Sequence, residues 1–412
     1  MKKTAISFLA AFLAAINVFT FTGCQEAIFE EIRADVEPEE PTVSGNIGTI
    51  TRYTAGDKEF LVLAADDGLR YKQKDKSSHG EWKTYGIPFS LHSYNFDSSS
   101  HDGEQLVSVL ADSDYLYIIS VSYKNTSTEG LTYPSNIKLW GKQITNNGNK
   151  LSSEGSWKKI IDRNDHKEIF PLAVTDSGYY TTNFKVFQTN APMKAHRAAF
   201  IRAYDSDTGY HYYGVNGLEV PEEITIEKEA IIDPDPSSAE DYVPVANGAV
   251  YFGGEIKFFT CHAVTTNETY EDEATYYYYT NSDNRLYFSN GSSVDSIKGH
   301  SDCVISSLAT CADSILVGYG KILGAAGGIA RSDLIDGVPV SIRRFNTEKG
   351  DSNAGHQIST SYKVLVLLNA TPEKTEEDNS LYAAISFTAT AANFDKIGLW
   401  SYYPKRGNWN RE

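Results

Sequence analysis

Beyond residue 46 the chain alternates between short apolar runs and polar turns, and no stretch holds a helical period for long. The runs are strand-length, rich in Val, Ile, Leu, Tyr and Phe, and bounded by Gly, Asn, Asp and Ser, which is the signature of strands joined by tight turns. The same succession recurs. A first copy reads Gly48–Tyr53, Phe60–Ala64, Gly68–Tyr71 and Gly80–Trp82, and a second reads Leu106–Leu110, Tyr115–Ile119, Ile137–Trp140 and Gly155–Trp157. A last copy reads Tyr362–Leu368, Leu381–Ile385, Ile397–Trp400 and Gly407–Trp409, so all five tryptophans fall at matching places in these three copies. Three more degenerate copies lie between them, around Phe170–Tyr213, Tyr242–Ile297 and Val304–Arg343. Corresponding runs return at roughly 45–70 residues, the range of β-propeller blades with insertions. Each copy offers four strands and cannot bury both faces alone, whereas radial stacking gives every sheet two neighbours. The pattern predicts an all-β body, a six-bladed β-propeller, with a seven-bladed ring or a β-sandwich as alternatives.

One stretch resembles a known repeat. Gly299-His300-Ser301-Asp302-Cys303-Val304, followed by Asp313–Gly318, resembles the start of a WD40 repeat, and Ile137–Trp140 resembles the strand before the WD40 Asp. Gly141 stands where that Asp would be, and the resemblance implies propeller geometry only. The Gly-x-Trp hairpins are similar, more distantly, to degenerate Asp-boxes of sialidase-type propellers, without the full Ser-x-Asp-x-Gly pattern.

The first residues have a different pattern. Lys2 and Lys3 precede an apolar run, Ile6–Phe21, that is short for a membrane span and reads as an export signal. It ends in Phe21-Thr22-Gly23-Cys24, which resembles the lipobox of bacterial lipoproteins, in the loose form seen in spirochaetes because Phe21 stands where Leu is commonest. The resemblance implies removal of residues 1–23 and diacylation of Cys24, which would anchor the chain to membrane lipid. No Asp follows the cysteine, which favours the outer membrane over the inner. Residues 24–45 are rich in Glu, Pro and Asp and read as an acidic linker, leaving residues 46–412 as the folded body.

Composition then narrows the partners. A formal charge of -17 argues against nucleic acid and against an anionic lipid surface. Three cysteines besides Cys24 remain, Cys261, Cys303 and Cys311, with a Cys303–Cys311 disulfide one pairing open to an exported chain.

Constellations that carry chemistry are weak. Asp205-Ser-Asp207-Thr-Gly209 and Asp233-Pro-Asp235 have alternating carboxylates but no closing Glu for calcium, and Asp-rich turns are ordinary strand punctuation. Asp66-Asp67-Gly68 and Asp112-Ser-Asp114 recur at equivalent turns, which favours a structural role. None of the nine histidines sits at metal-site spacing, and Gly324–Gly328 lacks the Lys a phosphate loop needs. Tyr276–Tyr279 in a strand would place two rings in the core and two outside, or fill a sheet face against a neighbouring blade. No catalytic residue, metal or cofactor is predicted. The expectation is a lipid-anchored, non-enzymatic propeller of the cell envelope, binding an envelope protein, a host protein or a glycan. The rival is an exported glycan hydrolase of sialidase type, which convergent carboxylates and arginines in the central channel would betray.

Overall fold

The structure, a computed structural model, describes residues 43, 45–55, 58–73, 81–91, 103–112, 114–125, 132–143, 156–174, 180–189, 197–239, 241–265, 274–280, 284–299, 304–320, 328–345, 358, 362–370, 379–387, 397–403 and 408–412. The signal, Cys24 and most of the linker therefore lie outside the described residues. No helix among the described residues is long and apolar enough to cross a membrane.

Within the compact unit that starts at Thr42, the strands form seven sheets of three or four strands in chain order, plus one small two-stranded ladder. Blade 1 holds the strands of residues 47–84, blade 2 those of 104–162, and blade 3 those of 184–224. Blade 4 spans 231–259, blade 5 spans 263–298, blade 6 spans 305–344, and blade 7 spans 362–411. In every four-stranded blade the strands are antiparallel and ordered as in the sequence. The leading long strand of each blade touches its counterparts in the two flanking blades, and blade 1 meets blade 7, so the ring is closed.

Burial explains why the chain adopts this arrangement. Seven clusters of buried apolar side chains occur among the described residues, one at each interface between successive blades. Middle strands pack on both faces and so read as unbroken apolar runs: Leu61, Val62, Leu63 and Ala64 are all buried. Outer strands face solvent and turn polar, as Val294–Lys298 does in blade 5. On the innermost strands of blades 1, 2, 6 and 7 the register slips once near the start, a β-bulge at Gly48, Val107, Ser306 and Leu365.

The ring has seven blades rather than the six that were the primary expectation; the seven-bladed alternative is the arrangement found. Sequence reading merged Tyr242–Ile297 into one copy, whereas Val250 belongs to blade 4 and Arg285 to blade 5. Blade 4 is easily missed because it has three strands, and its outer one, Ile231–Ile232, comes from upstream and pairs parallel with Glu255–Phe259. The third copy also shifts: Leu172–Val174 and Tyr180–Thr182 form the separate ladder, and blade 3 begins at Phe184.

Each terminal blade is complete in itself. Blade 1 uses only N-terminal strands and blade 7 only C-terminal ones, with no ladder shared between them among the described residues. Faces seal the seam: Val43, Ile50, Leu61, Leu63 and Trp82 pack against Tyr382, Ala384 and Leu399. At its centre the Lys72 ammonium lies 2.7 Å from the Glu412 carboxylate, to which the Trp82 indole also donates at 2.7 Å. Lys72 sits 5.6 Å from the ring centroids of both Trp82 and Tyr382. Trp409 is 2% exposed, against Tyr402 and Phe345, so the last strand is docked.

Candidate functional site

The seven innermost strands carry few charges. Arg52, Lys185 and Lys363 are their described cations and Glu104 their sole carboxylate. Glu104 is engaged, with the Lys138 ammonium and the Ser120 hydroxyl on it. Where the inner strands of blades 1 to 3 end, polar side chains tie them together. Gln188 donates through Nε2 to Thr51 Oγ1 at 2.8 Å and accepts from the Ala111 amide at 3.1 Å, while buried Arg197 donates to the Arg52 carbonyl.

A second cationic group lies where blade 3 meets blade 4. Lys185 on Phe184–Gln188 is the direct antiparallel partner of Arg202 on Ala199–Asp205, so both side chains share one sheet face. Arg202 faces Tyr212 across the next ladder, lies 5.4 Å from the Tyr210 ring, and donates through Nη1 to Asn247 Oδ1 of the blade 4 approach. Its Nε is buried with no hydrogen-bond partner. Lys185 is exposed by surface area, yet burial of its ammonium, followed by the Arg202 charge, lowers its pKa from the ordinary lysine value. His262, between blades 4 and 5, donates through Nε2 to the Leu308 carbonyl at 3.2 Å if that nitrogen carries the proton. Burial lowers its pKa, the Leu308 carbonyl opposes that, and the Lys185 charge lowers it further.

The residues singled out in the sequence serve turns and packing. Asp205 Oδ1 accepts from the amides of Asp207 and Thr208 and from the Thr208 hydroxyl, an Asx turn that holds its carboxyl below the usual range. Asp233 accepts from the Tyr242 and Thr260 hydroxyls and the Asp235 amide, and its bond raises the Tyr242 phenol to about 12. Asp66 accepts from Asn46, Asp67 pairs with Arg70 at 2.6 Å, and Asp112 accepts from the amides of Asp114 and Tyr115. No group of three His, Cys, Asp or Glu among the described residues has metal-site geometry.

Tyr277, Tyr278 and Tyr279 are all buried and Tyr276 is partly so; the run fills the gaps on both sides of blade 5 rather than splitting between core and solvent. Cys261 is partly buried, where desolvation pushes its thiol up to about 11, and Cys311 is buried. Cys303, residues 300–302 of the WD40-like segment, and residues 324–327 of the glycine-rich stretch lie outside the described residues. Sequence reasoning did not find the Lys185, Arg202 and His262 group, because only strand register and ring closure bring it together.

No protein-family model and no curated protein matches this chain. Among solved structures it is similar to BBS1N in complex with ARL6DN soaked with mercury, at TM-score 0.33 and 10% identity over 90% of this chain and 92% of that one. The lead-soaked form of that complex aligns with the same values. The Mitotic Checkpoint Complex aligns at TM-score 0.32 and 10% identity over 92% of this chain and 83% of that one. Likeness at this level adds no argument about function, and the propeller is established by the chain's own sheet order and ring contacts.

Proposed function

We propose that this chain is a non-enzymatic binding module of the bacterial cell envelope, a seven-bladed ring tethered to lipid through acylated Cys24. The carrying observation is the chemistry of the inner strands: their one described carboxylate is already bound by Lys138 and Ser120. A glycosidase needs two carboxyl groups, about 5–10 Å apart across a scissile bond. The described inner strands supply no such pair. The ring instead offers a rigid scaffold with seven packed interfaces, and its ligand is an envelope protein, a host protein or a glycan.

The anchor rests on the Phe21–Cys24 box, with residues 1–23 as signal and 24–45 as linker before the 46–412 body, and the outer membrane as the favoured site. Two experiments test the two halves. Cys24→Ser should move the protein from the detergent phase to the soluble fraction and abolish palmitate labelling; unchanged partitioning would remove the anchor from the proposal. Wild-type protein should show no turnover on glycoside, ester or peptide panels. Reproducible turnover would make the exported hydrolase the better reading.

A further inference from the structure

We propose that the junction of blades 3 and 4 is a binding site for one oxyanion group, a carboxylate, sulfate or phosphate, held between Lys185 and Arg202. This deepens the reading of the ring as a binding module and rests on it. Four observations on different atoms converge. Lys185 and Arg202 are direct cross-strand partners on one face, an arrangement that like charges make unfavourable unless something negative lies between them. Neither side chain has a carboxylate partner among the described residues: Arg202 uses an amide oxygen and an aromatic ring, and Lys185 makes no hydrogen bond or ion pair. The Arg202 Nε is buried and unpartnered, a state that costs free energy in a finished interior and that an acceptor oxygen would relieve. Finally, this gathering of positive charge occurs in a chain of net charge -17, where carboxylates are abundant and could have been placed beside it.

Asp233 is an acidic side chain whose charge reaches Cys261, the neighbour of His262. Asp233 is not available, since Tyr242, Thr260 and Asp235 already occupy it. A guanidinium presents a planar fork suited to two oxygens of one group, and an ammonium supplies a third charge-assisted donor. Exposure of Lys185 leaves a path for the ligand. His262, which feels the Lys185 charge, serves as a reporter on the site. With Nε2 donating to Leu308, its Nδ1 is the free acceptor in the neutral ring, and an anion nearby would favour the protonated form.

The test uses the full chain in detergent, titrated with sodium sulfate, sodium phosphate and sodium acetate against sodium chloride at equal ionic strength. Calorimetry should report saturable binding of at least one oxyanion and none of chloride. Lys185→Met and Arg202→Met should each weaken it about tenfold or more, the scale of a lost charge-assisted bond. Arg202→Lys, which keeps the charge and loses the fork, should fall between. Preference among the three salts separates a carboxylate ligand from a sulfate or phosphate one. If a variant fails to fold, the wild-type His262 imidazole, assigned by its loss in His262→Gln, still decides: its pKa should rise on oxyanion addition. No saturable binding, or binding that the variants leave unchanged, would overturn the site. A chain that binds a protein partner but no oxyanion would keep the module and lose this inference; one that binds oxyanion and turns over substrate would keep the site and lose the non-enzymatic reading.

Discussion

Two junctions of the ring each bring a lysine together with aromatic rings, and they treat it in opposite ways. At the seam between blades 7 and 1, Lys72 is 2% exposed and fully provided for, with Glu412 at 2.7 Å and the faces of Trp82 and Tyr382 around it. At the junction of blades 3 and 4, Lys185 faces Arg202 across the ladder and its charge reaches His262, with no carboxylate beside it among the described residues. Both regions are packed interfaces between neighbouring blades of one ring, so packing alone does not explain the contrast. A buried charge that is paired and hydrogen-bonded belongs to the structure, because removing either partner strands the other. A cationic group left unpaired weakens the fold and is retained for something that arrives later. The seam pairs its charges within the ring, and the junction leaves a cationic pair without a carboxylate among the described residues.

The largest break in this contrast should come from deleting residues 407–412. That removes buried Trp409, about 3–5 kcal/mol by itself, and leaves Lys72 without Glu412. Urea unfolding should show a midpoint far below wild type; an unchanged midpoint would mean that the last strand is not part of the seam. Glu412→Gln is the gentler version. It keeps the shape and removes the charge, and should cost roughly 3 kcal/mol, with most of it recovered when Lys72→Met is added. A neutral single substitution would show that packing alone seals the ring.

A smaller effect should appear with pH at the other junction. The folded pKa of His262 lies below its unfolded value, through burial and then the Lys185 charge. The unfolded chain therefore binds the proton more readily, and stability should rise with pH until the unfolded histidine value of about 6.5 is passed. His262→Gln should flatten that part of the stability profile, and a profile of unchanged slope would place the acid sensitivity elsewhere.

Much of the fold was legible in the sequence because burial writes itself into the pattern. Middle strands such as Phe60–Ala65 are apolar throughout since both faces are covered, and the tryptophans of blades 1, 2 and 7 mark equivalent positions. The seventh blade was hidden for a physical reason. Blade 4 takes its outer strand from upstream as a two-residue parallel pairing, so its strands do not recur in the usual order. The completeness of both terminal blades was readable, yet the Lys72–Glu412 pair that joins them was not, since sequence gives no hint of contacts that only ring closure creates. The same holds for Lys185, Arg202 and His262. Lys185 and Arg202 lie on strands of ordinary alternation, and the stretch of sequence between Gln188 and Ala199 is too long for register to be counted from composition. The Tyr276–Tyr279 run illustrates the converse: alternation suggests one wet face, but a blade between two others has none.

The most direct measurement compares the two lysines under one set of conditions: unfolding free energies of Lys72→Met and Lys185→Met, in chloride buffer without added oxyanion. Lys72→Met should lose several kcal/mol, about 3–5, because Glu412 is left buried without a cation, with the Trp82 indole still donating to it. Lys185→Met should gain, by roughly 0.2–1 kcal/mol, since it removes an unfavourable like-charge pair from one sheet face. Opposite signs would separate the lysine that closes the ring from the lysine that waits for a ligand. Losses of similar size at both positions would contradict that division, and Lys185 would then be one more structural side chain.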